Sequence, residues 1–360
     1  KKEKRDSTVA KWPFKITFLK EPGYHRNVCV KRFLSHYAWG KNVAKYLETI
    51  EKPDVIYCAM PSLTAAYMTA KFCKKNGVKF VIDVQDLWPE AFRMVLNIPF
   101  VSALLFSPFT AIANYAYSKA DAICAVSNTY VVRALKVNKK VVRGTTVYLG
   151  TELSHFDECA QKEPVVFHTN KSETWLGYCG TLGSSYDLTS VFDALKILQK
   201  KGKPIKCHFV GKWSNITEDR FKDVINKQNL KECVFAHGAK YDNEKDAFLQ
   251  KADIFVFPTY YDNECFPLVL LEAMEQSLPC ISTNEGGIPG IIEEGKTGFI
   301  VEKHSPQQLA EKIEYLIDHP MICAEMGKAG KEKFQREFTL EKFENRMKDI
   351  LKECIASYKK

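Results

Sequence analysis

Short apolar runs alternate with amphipathic stretches along most of the chain. The runs Val78 to Val84 and Ile254 to Phe257 have the length and the β-branched and aromatic content of buried strands. Between such runs, as from Leu63 to Lys75, apolar residues recur at helical spacing, which is typical of helices that bury one face. Strands that alternate with helices in this way predict a parallel sheet covered by helices on both sides.

The same patterns predict three further elements in the first half of the chain. Phe14 to Leu19 is predicted to be a strand, and Tyr37 to Ile50 a helix. Pro99 to Ala120 is the most apolar segment of the chain, and a buried helix pair is its simplest interpretation. The alternative is contact with a membrane surface, which the basic character of this half of the chain favours slightly.

The segment from Ala252 to Val301 combines a strand, a polar loop, a helix, a second strand and a glycine turn. Pro258 ends the first strand, and the polar loop continues to Cys265. Gly286 and the glycine after it turn the chain sharply after the second strand. Pro267 begins the helix, whose apolar positions recur at helical spacing (Leu268, Leu271 and Met274).

Two carboxylates frame the start of this helix. Glu264 lies in the loop before it and Glu272 lies within it, with seven residues between them. Free N–H groups and a partial positive charge make a helix N-terminus a good phosphate site. Ionised carboxylates only accept hydrogen bonds, so they suit hydroxyl groups on either side of the phosphate, as in a nucleoside diphosphate sugar. Spacing alone favours the simpler alternative, a surface helix with two ordinary glutamates.

The segment ECFPLVLLE, from Glu264 to Glu272, resembles the Glu-x7-Glu motif of family 4 of the retaining glycosyltransferases. Its surroundings, ADIFVFPT before it and GGIPGIIEEGKTGFIV after it, are similar to the same block of that family. The resemblance extends from about Pro53 to the end of the chain. It implies an α/β protein of GT-B fold, in which two Rossmann-like, doubly wound parallel-sheet domains face each other across a cleft.

The resemblance also implies a domain organisation. Residues 1–165 would form the acceptor-side domain and residues 166–338 the donor-binding domain, with a polar linker at Glu158 to Thr174. Residues 339–360 would form a helix that crosses back to the first domain. Relatives begin with a strand and a Gly-Gly loop that this sequence lacks before Phe14, so the chain is expected to be incomplete or divergent at its N-terminus.

A glycine turn after a predicted strand is expected to approach the donor diphosphate. Gly180 and Gly183 permit close backbone approach, and the helix that follows adds its dipole. Relatives carry an Arg and a Lys in this region, where this sequence has Thr181 and then Tyr186 and Asp187. Lys212, at the end of another predicted strand, is the candidate to replace these cations at the diphosphate. The alternative is that Lys212 is an ordinary exposed lysine.

The resemblance assigns the remaining donor contacts. The helix start would bind the diphosphate, Glu264 the sugar hydroxyls and Glu272 the ribose diol. His237 lies at the strand end where relatives bind the nucleobase, although a structural histidine with its hydrogen bonds satisfied is the simpler interpretation. The residues of the helix start are consecutive (Cys265, Phe266, Pro267 and Leu268).

In the first half, DLWPE resembles a motif of the branch of family 4 that builds bacterial capsule and O-antigen polysaccharides. Asp86 follows a buried strand and is the candidate for assisting catalysis on the acceptor side. A residue that caps the next helix or anchors the turn is the equally weighted alternative. Relatives have a His at or beside this position, where this chain has Gln85 and Asp86.

Composition and charge narrow the range of partners that the sequence predicts. From Lys1 to His168 there are 25 Lys and Arg against 14 Asp and Glu, a net charge of +11, whereas the remainder carries −2. This asymmetry fits a first domain that meets an anionic membrane or a phosphate-bearing acceptor, or is simply a solubilising surface. The basic residues form no aromatic-interleaved patch, so nucleic acid is not predicted. Scattered cysteines without a Cys-x-x-Cys pair suggest reduced thiols and a cytoplasmic protein, at most peripheral to the plasma membrane.

The predicted function is transfer of a sugar from a nucleotide sugar to an acceptor hydroxyl during cell-surface polysaccharide synthesis, with the anomeric configuration retained. The acceptor would be a glycan or a lipid-diphosphate-linked glycan. No Asp-x-Asp motif and no His or Cys cluster at ligand spacing occur, so no cofactor or metal is predicted. A nucleotide-sugar epimerase and a non-catalytic nucleotide-sugar-binding module remain open. A dinucleotide-dependent oxidoreductase is disfavoured because no Gly-x-Gly-x-x-Gly follows a strand.

Overall fold

The chain folds into two compact units. The first contains the described residues of 1–124, 133–144 and 351–360, and the second contains those of 125–132 and 145–350. The predicted linker lies outside the described residues up to position 172, and Thr174 is already the first residue of a strand. This computed structural model describes residues 13–25, 29–60, 62–91, 99–140, 144–151, 173–183, 186–214, 216–261 and 264–357.

Strands and helices alternate in the first unit. Its strands are β1 (Val55–Ala59) and β2 (Lys79–Val84). Its helices are α1 (Val30–Leu47), α2 (Leu63–Asn76), α3 (Pro99–Leu105) and α4 (Ser107–Lys119). Three elements contain residues of both units: β3 (Ala122–Ala125), α5 (Asn128–Leu135) and α13 (Leu340–Ala356).

The second unit continues the alternation. Its strands are β4 (Thr145–Thr146), β5 (Thr174–Cys179), β6 (Ile205–Val210), β7 (Val234–Ala236), β8 (Ile254–Phe257), β9 (Cys280–Thr283) and β10 (Gly298–Val301). Its helices are α6 (Leu188–Lys200), α7 (Glu218–Lys227), α8 (Asp242–Leu249), α9 (Leu268–Glu275), α10 (Ile288–Ile291), α11 (Pro306–Asp318) and α12 (Pro320–Glu337).

The second unit contains a six-stranded parallel sheet in the order β10–β9–β8–β5–β6–β7. Sequence order reverses between β5 and β8, which are direct neighbours. In open sheets of this kind, ligands bind beyond the carboxyl ends of the strands at the reversal point. All four residues of β8 are buried, as its apolar sequence predicts, so the loops after β5 and β8 rest on a packed core.

Within the first unit, the strands lie in the order β1–β2–β3. β1 and β2 pair in parallel, from Val55 opposite Lys79 to Ala59 opposite Asp83. α2 ends where the sequence predicts, because Gly77 takes the left-handed conformation of a helix cap, with φ at 65°. None of the helices that the structure describes is both long and apolar enough to cross a bilayer.

Two predicted elements of the first unit differ from the structure. Phe14 to Leu19, all of them described, form no strand; Phe14 and Phe18 are exposed, and no strand in the described part of the chain pairs with this segment. The helix expected at Tyr37 to Ile50 begins earlier and ends earlier, as α1. Its first turns carry exposed apolar residues, so their pattern does not indicate a buried face.

The segment Pro99 to Ala120 forms a helix pair, α3 and α4, but α3 is not buried as predicted. Val101, Leu104 and Leu105 of α3 are exposed, while Ser102 between them is buried. An apolar composition predicts burial, but which side of a short helix faces the core is decided by its neighbours.

Helix α12 is absent from the sequence-based prediction, and it supports α9. Gly327 of α12 lies against the carbonyl oxygen of Ser277, so closely that a Cβ atom on it would lie 1.9 Å from that oxygen. Gly330 meets Met274 of α9 at ordinary van der Waals distance. The buried face of α12 also includes Lys333, so small and charged residues conceal its helical pattern.

Candidate functional site

The loops after β5 and β8 meet beside the point where the strand order reverses. Tyr186 forms an isolated antiparallel bridge with Thr259, and the N–H of Asp187 donates to the carbonyl oxygen of Pro258 at 3.0 Å. Asp187 caps α6, accepting a hydrogen bond from the Ser190 N–H at 3.3 Å. The two loops therefore form one hydrogen-bonded structure at the carboxyl end of the sheet.

The glycine turn after β5 packs against the loop after β6. The N–H of Gly180 donates to Val210 O at 3.0 Å, and a Cβ atom on Gly211 would lie 1.7 Å from Gly180 O. The N–H of Leu182 donates to Lys212 O at 2.9 Å, so the predicted turn and the predicted cation lie side by side. The Lys212 side chain is exposed, as is that of Thr181, while Gly183 is buried. These residues provide close backbone packing and one solvent-accessible cation.

Glu264 is fixed by the glycine turn after β9. The N–H of Glu264 donates to Tyr261 O at 2.8 Å. A Cβ atom on Gly286 would lie 1.3 Å from Glu264 O, and one on Gly287 would lie 2.4 Å from Cys265 O. Glycine is required at both positions because the two loops touch through their backbones.

The carboxyl group of Glu264 lies in an unusual environment. Burial, together with the nearby carboxylate of Glu285, raises the pKa of Glu264 to about 7. Glu285 is itself buried and forms an ion pair with Lys303. Burial and the charge of Glu264 raise the pKa of Tyr186 to about 12, which puts Glu264 beside the loop after β5. A carboxyl group with such a pKa can change protonation state near neutral pH.

The residues between Glu264 and α9 are held mainly by packing. Sγ of Cys265 lies 3.0 Å from the Tyr130 hydroxyl, and the Phe266 ring stacks on Tyr148 at 5.3 Å between ring centroids. Pro267 is the N-cap residue of α9, in extended conformation. Of the three apolar positions at the predicted helical spacing, Leu271 and Met274 are buried, whereas Leu268 is 40% exposed. The first turn of α9 is therefore partly open to solvent.

Glu272 forms an ion pair that sequence reasoning did not find. Oε1 of Glu272 accepts a hydrogen bond from Nζ of Lys245, on α8, at 2.7 Å. Oε2 is buried and has no hydrogen-bond partner among the residues that the structure describes. An unpartnered buried carboxylate oxygen is costly, and a hydroxyl donor would satisfy it.

His237 follows β7 and pairs with His208 of β6. Nε2 of His237 lies 3.0 Å from Nδ1 of His208, and the two rings stack. Burial lowers the pKa of His237, and burial with the neighbouring His237 lowers that of His208 to about 4, so the pair is neutral at pH 7. His237 therefore has the hydrogen-bonded structural role that the simpler interpretation predicts, and its contact with a nucleobase stays a prediction.

Asp86 belongs to the first unit. Its Oδ2 accepts a hydrogen bond from Trp88 Nε1 at 2.9 Å, and burial raises its pKa. Arg32 lies over the Trp88 ring at 4.3 Å. The side chain anchors the turn after β2, as one of the two predicted alternatives requires, and its catalytic role stays a prediction.

Sequence reasoning missed Lys245, Glu285 and His208, and the first two have no signal in the local sequence. Each lies on a different element from the residue it contacts, so its position follows from sheet order and helix packing. The apolar strand β6 in IKCHFV gave the one available hint, because a histidine at a buried position needs a hydrogen-bond partner.

Comparisons with known proteins relate the chain to glycosyltransferases. Residues 161–333 match the family model described as "Glycosyl transferases group 1", a range that contains Glu264, Glu272 and the other predicted donor-binding residues but not Asp86. The chain is 27% identical over 208 residues to a capsular polysaccharide biosynthesis glycosyltransferase, CapM, of Staphylococcus aureus; this match covers 57% of the chain and 53% of that protein. It is 25% identical over 180 residues to a poly(ribitol-phosphate) alpha-N-acetylglucosaminyltransferase of Staphylococcus aureus strain COL, covering 49% of the chain and 35% of that protein. The chain thus spans about half the length of these relatives, or less.

Among solved structures, the chain is similar to Anabaena Alr3699/HepE, crystallised in complex with UDP. The TM-score is 0.68 at 17% identity, covering 87% of this chain and 82% of that one. A likeness at this identity establishes the fold. With a parallel α/β sheet in each unit, it confirms the predicted GT-B fold.

Proposed function

We propose that this chain transfers a sugar from a nucleoside diphosphate sugar to an acceptor hydroxyl, with the anomeric configuration retained. One observation carries the proposal: the half-buried carboxyl of Glu264 lies beside the loop after β5, at the reversal point of the donor-side sheet, with a pKa of about 7. The match of residues 161–333 to the glycosyl transferases group 1 model supports it.

The chemistry requires stabilising a departing diphosphate and a sugar ring that becomes positively charged. We assign the diphosphate to the start of α9, the turn at Gly180 and the exposed cation of Lys212. Glu264 would accept hydrogen bonds from the sugar hydroxyls and, once ionised, favour positive charge on the ring. Glu272 would accept from the ribose diol through its unpartnered Oε2.

The acceptor belongs, in this proposal, to the first unit. Asp86 is the candidate acceptor-side residue, with residues 1–165 as the acceptor domain and residues 166–338 as the donor domain. CapM is named for capsular polysaccharide biosynthesis, which supports a glycan or a lipid-diphosphate-linked glycan as acceptor. We place the reaction in the cytoplasm, at the inner face of the plasma membrane.

Transfer is proposed to require no metal ion. The diphosphate charge would be met by Lys212 and by backbone N–H groups at the start of α9. Turnover should therefore be the same with and without EDTA, and a requirement for added magnesium or manganese would overturn this part of the proposal.

The test combines binding with turnover. UDP, UDP-glucose, GDP-mannose and ADP-glucose are compared by thermal shift, starting from the uridine nucleotide that the Anabaena protein binds, since a ligand of the native state raises its stability. Release of nucleoside diphosphate is then measured with and without a lipid-diphosphate-linked glycan, and NMR of the product gives its anomeric configuration. Acceptor-dependent release that Glu264→Ala abolishes supports the proposal. Donor consumption without acceptor would indicate an epimerase, and binding without turnover a non-catalytic module.

A further inference from the structure

Helix α3 of the first unit turns its apolar side chains outward. Leu104 is 70% exposed, Leu105 56% and Val101 47%, whereas the polar Ser102 is almost completely buried. A helix at the surface of a protein in water normally has the opposite arrangement. The outward face of α3 therefore lacks an apolar neighbour among the described residues.

A second exposed apolar row lies on α1. Val30, Leu34 and Tyr37 recur at helical spacing along one face, and all three are exposed. Lys41 continues the row one turn later, with its Nζ 5.0 Å from the Tyr37 ring centroid. Apolar residues followed by a lysine that can reach outward are typical of helices that lie in a membrane interface.

Aromatic contacts join α1 to the helix pair α3–α4. The ring of Phe33, on α1, lies 5.3 Å from that of Phe109, on α4, between ring centroids. Phe109 in turn lies 6.5 Å from Phe106, the residue that connects α3 to α4. The two exposed rows therefore lie on helices that one aromatic cluster joins, and we call them together the α1–α3 surface (Val30, Leu34, Tyr37, Val101, Leu104 and Leu105).

The charged side chains on the helices of this surface have one sign, and an acidic neighbour of α1, Glu21, accepts a hydrogen bond from Ser35 at 3.1 Å. Helix α1 carries Lys31, Arg32, Lys41 and Lys45 and no acidic residue. The helix pair carries no charged residue from Pro99 to Ser118. An apolar area bordered by cations is complementary to a bilayer that contains anionic lipids, because leucines enter the acyl boundary while lysines meet the head groups.

We propose that the α1–α3 surface docks on an anionic lipid bilayer, with Leu104 and Leu105 inserted into it. A second copy of this chain is a poorer occupant, because a symmetric contact would bring the same cations of α1 together. Docking is independent of sugar transfer, and it would hold the first unit at the surface from which a lipid-linked acceptor is presented.

The test measures partition of the full chain onto vesicles, without any nucleotide sugar. Vesicles of phosphatidylglycerol and phosphatidylethanolamine are compared with vesicles of phosphatidylcholine alone. The wild-type chain should co-sediment with the first and much less with the second, and added salt should weaken binding. Replacing both leucines (Leu104→Ser, Leu105→Ser) should weaken partition at least about tenfold, because insertion of apolar side chains drives it. Both side chains are exposed, so the melting temperature should not fall.

Matched variants separate the contributions of apolar insertion and of positive charge to vesicle binding. Met321→Ser removes an apolar residue of the second unit that is 73% exposed, and it should leave partition unchanged. Lys41→Glu with Lys45→Glu should abolish the preference for anionic vesicles. The proposal is overturned if the double serine variant partitions like the wild type, or if the wild type stays in solution with every vesicle. A wild-type dimer in light scattering that the serine variant converts to monomer would also overturn it, in favour of a second copy.

Discussion

The backbone of Gly286 lies directly against the carbonyl oxygen of Glu264. A Cβ atom at position 286 would lie 1.3 Å from that oxygen, and Gly286 has a φ of 48°. Glu264 belongs to the loop after β8 and Gly286 to the turn after β9, so this contact fixes one loop by means of the other. The position of the Glu264 carboxyl thus depends on a residue that has no side chain.

Gly286→Ala should displace Glu264. The new methyl group has no room beside a backbone oxygen, and alanine is strained at positive φ. We expect a loss of about 2–4 kcal/mol in the free energy of unfolding and a large loss of turnover. Gly295→Ala is the matched control: its φ is 72°, but nothing lies within 4 Å of its Cβ position. It should cost only about 1 kcal/mol and leave turnover intact. Equal effects of the two substitutions in urea unfolding would contradict this account.

Glu264→Ala should remove the largest electrostatic contribution to transfer. Loss of one group that stabilises developing charge typically lowers kcat by about 10²–10³-fold, and we expect at least the lower of these values. The fold should be retained, because removing a half-buried carboxyl group also removes its desolvation cost. Steady-state kinetics with the best donor measures the effect, and the exposed Glu302→Ala serves as control. Turnover within a few-fold of the wild type would exclude Glu264 from the reaction.

The raised pKa of Glu264 predicts how stability depends on pH. Burial and Glu285 raise the pKa from 4.5 to about 7 in the folded chain. Between these values the folded state holds a proton that the unfolded state releases, so the contribution of Glu264 falls as pH rises through this window. Glu264→Gln should therefore be more stable than the wild type at pH 8, by about 3 kcal/mol, and no more stable at pH 4.5.

Denaturant unfolding across this pH range checks the sign. Glu293 is a control whose pKa is shifted in the opposite direction, because its hydrogen bond with Lys296 lowers that pKa. Glu293→Gln should lose a little stability near neutral pH and none in acid. A Glu264→Gln variant whose advantage is independent of pH would show that folding does not raise the pKa of Glu264.

The local pattern of apolar and polar residues predicts the strand and the helix on either side of the site. Strand β8 and helix α9 form because an apolar run stops at Pro258 and helical spacing resumes after Pro267. The boundary of α9 is therefore predictable, whereas the exposure of Leu268 is not, because α12 decides which side of α9 is covered.

Local sequence patterns do not predict contacts between segments that are distant in the chain. Lys245 and Glu272 are 27 residues apart on separate helices, and nothing near either residue indicates the other. Helix α12 escapes prediction because Gly327, Gly330 and Lys333 make up much of its buried face. On α3, composition predicts burial while the structure exposes Leu104, since an apolar surface that faces a partner has the same composition as a core.

Lys245 should act on donor binding by positioning Glu272. Its ammonium group holds Oε1, which leaves Oε2 as the free acceptor of the carboxylate. Lys245→Met should weaken donor binding about tenfold, as expected for a hydrogen bond to a charged group, with a smaller change in kcat. Lys245→Arg should recover part of the affinity, because a cation is restored at a shifted position. Calorimetry with UDP, together with the KM for the donor, measures both effects.

A double-mutant cycle decides whether Lys245 works through Glu272. If the lysine only orients that carboxylate, Lys245→Met should have little further effect in a Glu272→Gln background, because residues in contact are not additive. Lys240→Met is the matched control, since Lys240 pairs with the exposed Glu244 at 2.9 Å instead. It should leave donor affinity unchanged. Additive losses in the cycle would mean that Lys245 contacts the donor itself, and the assignment of Glu272 to the ribose diol would then lose its structural support.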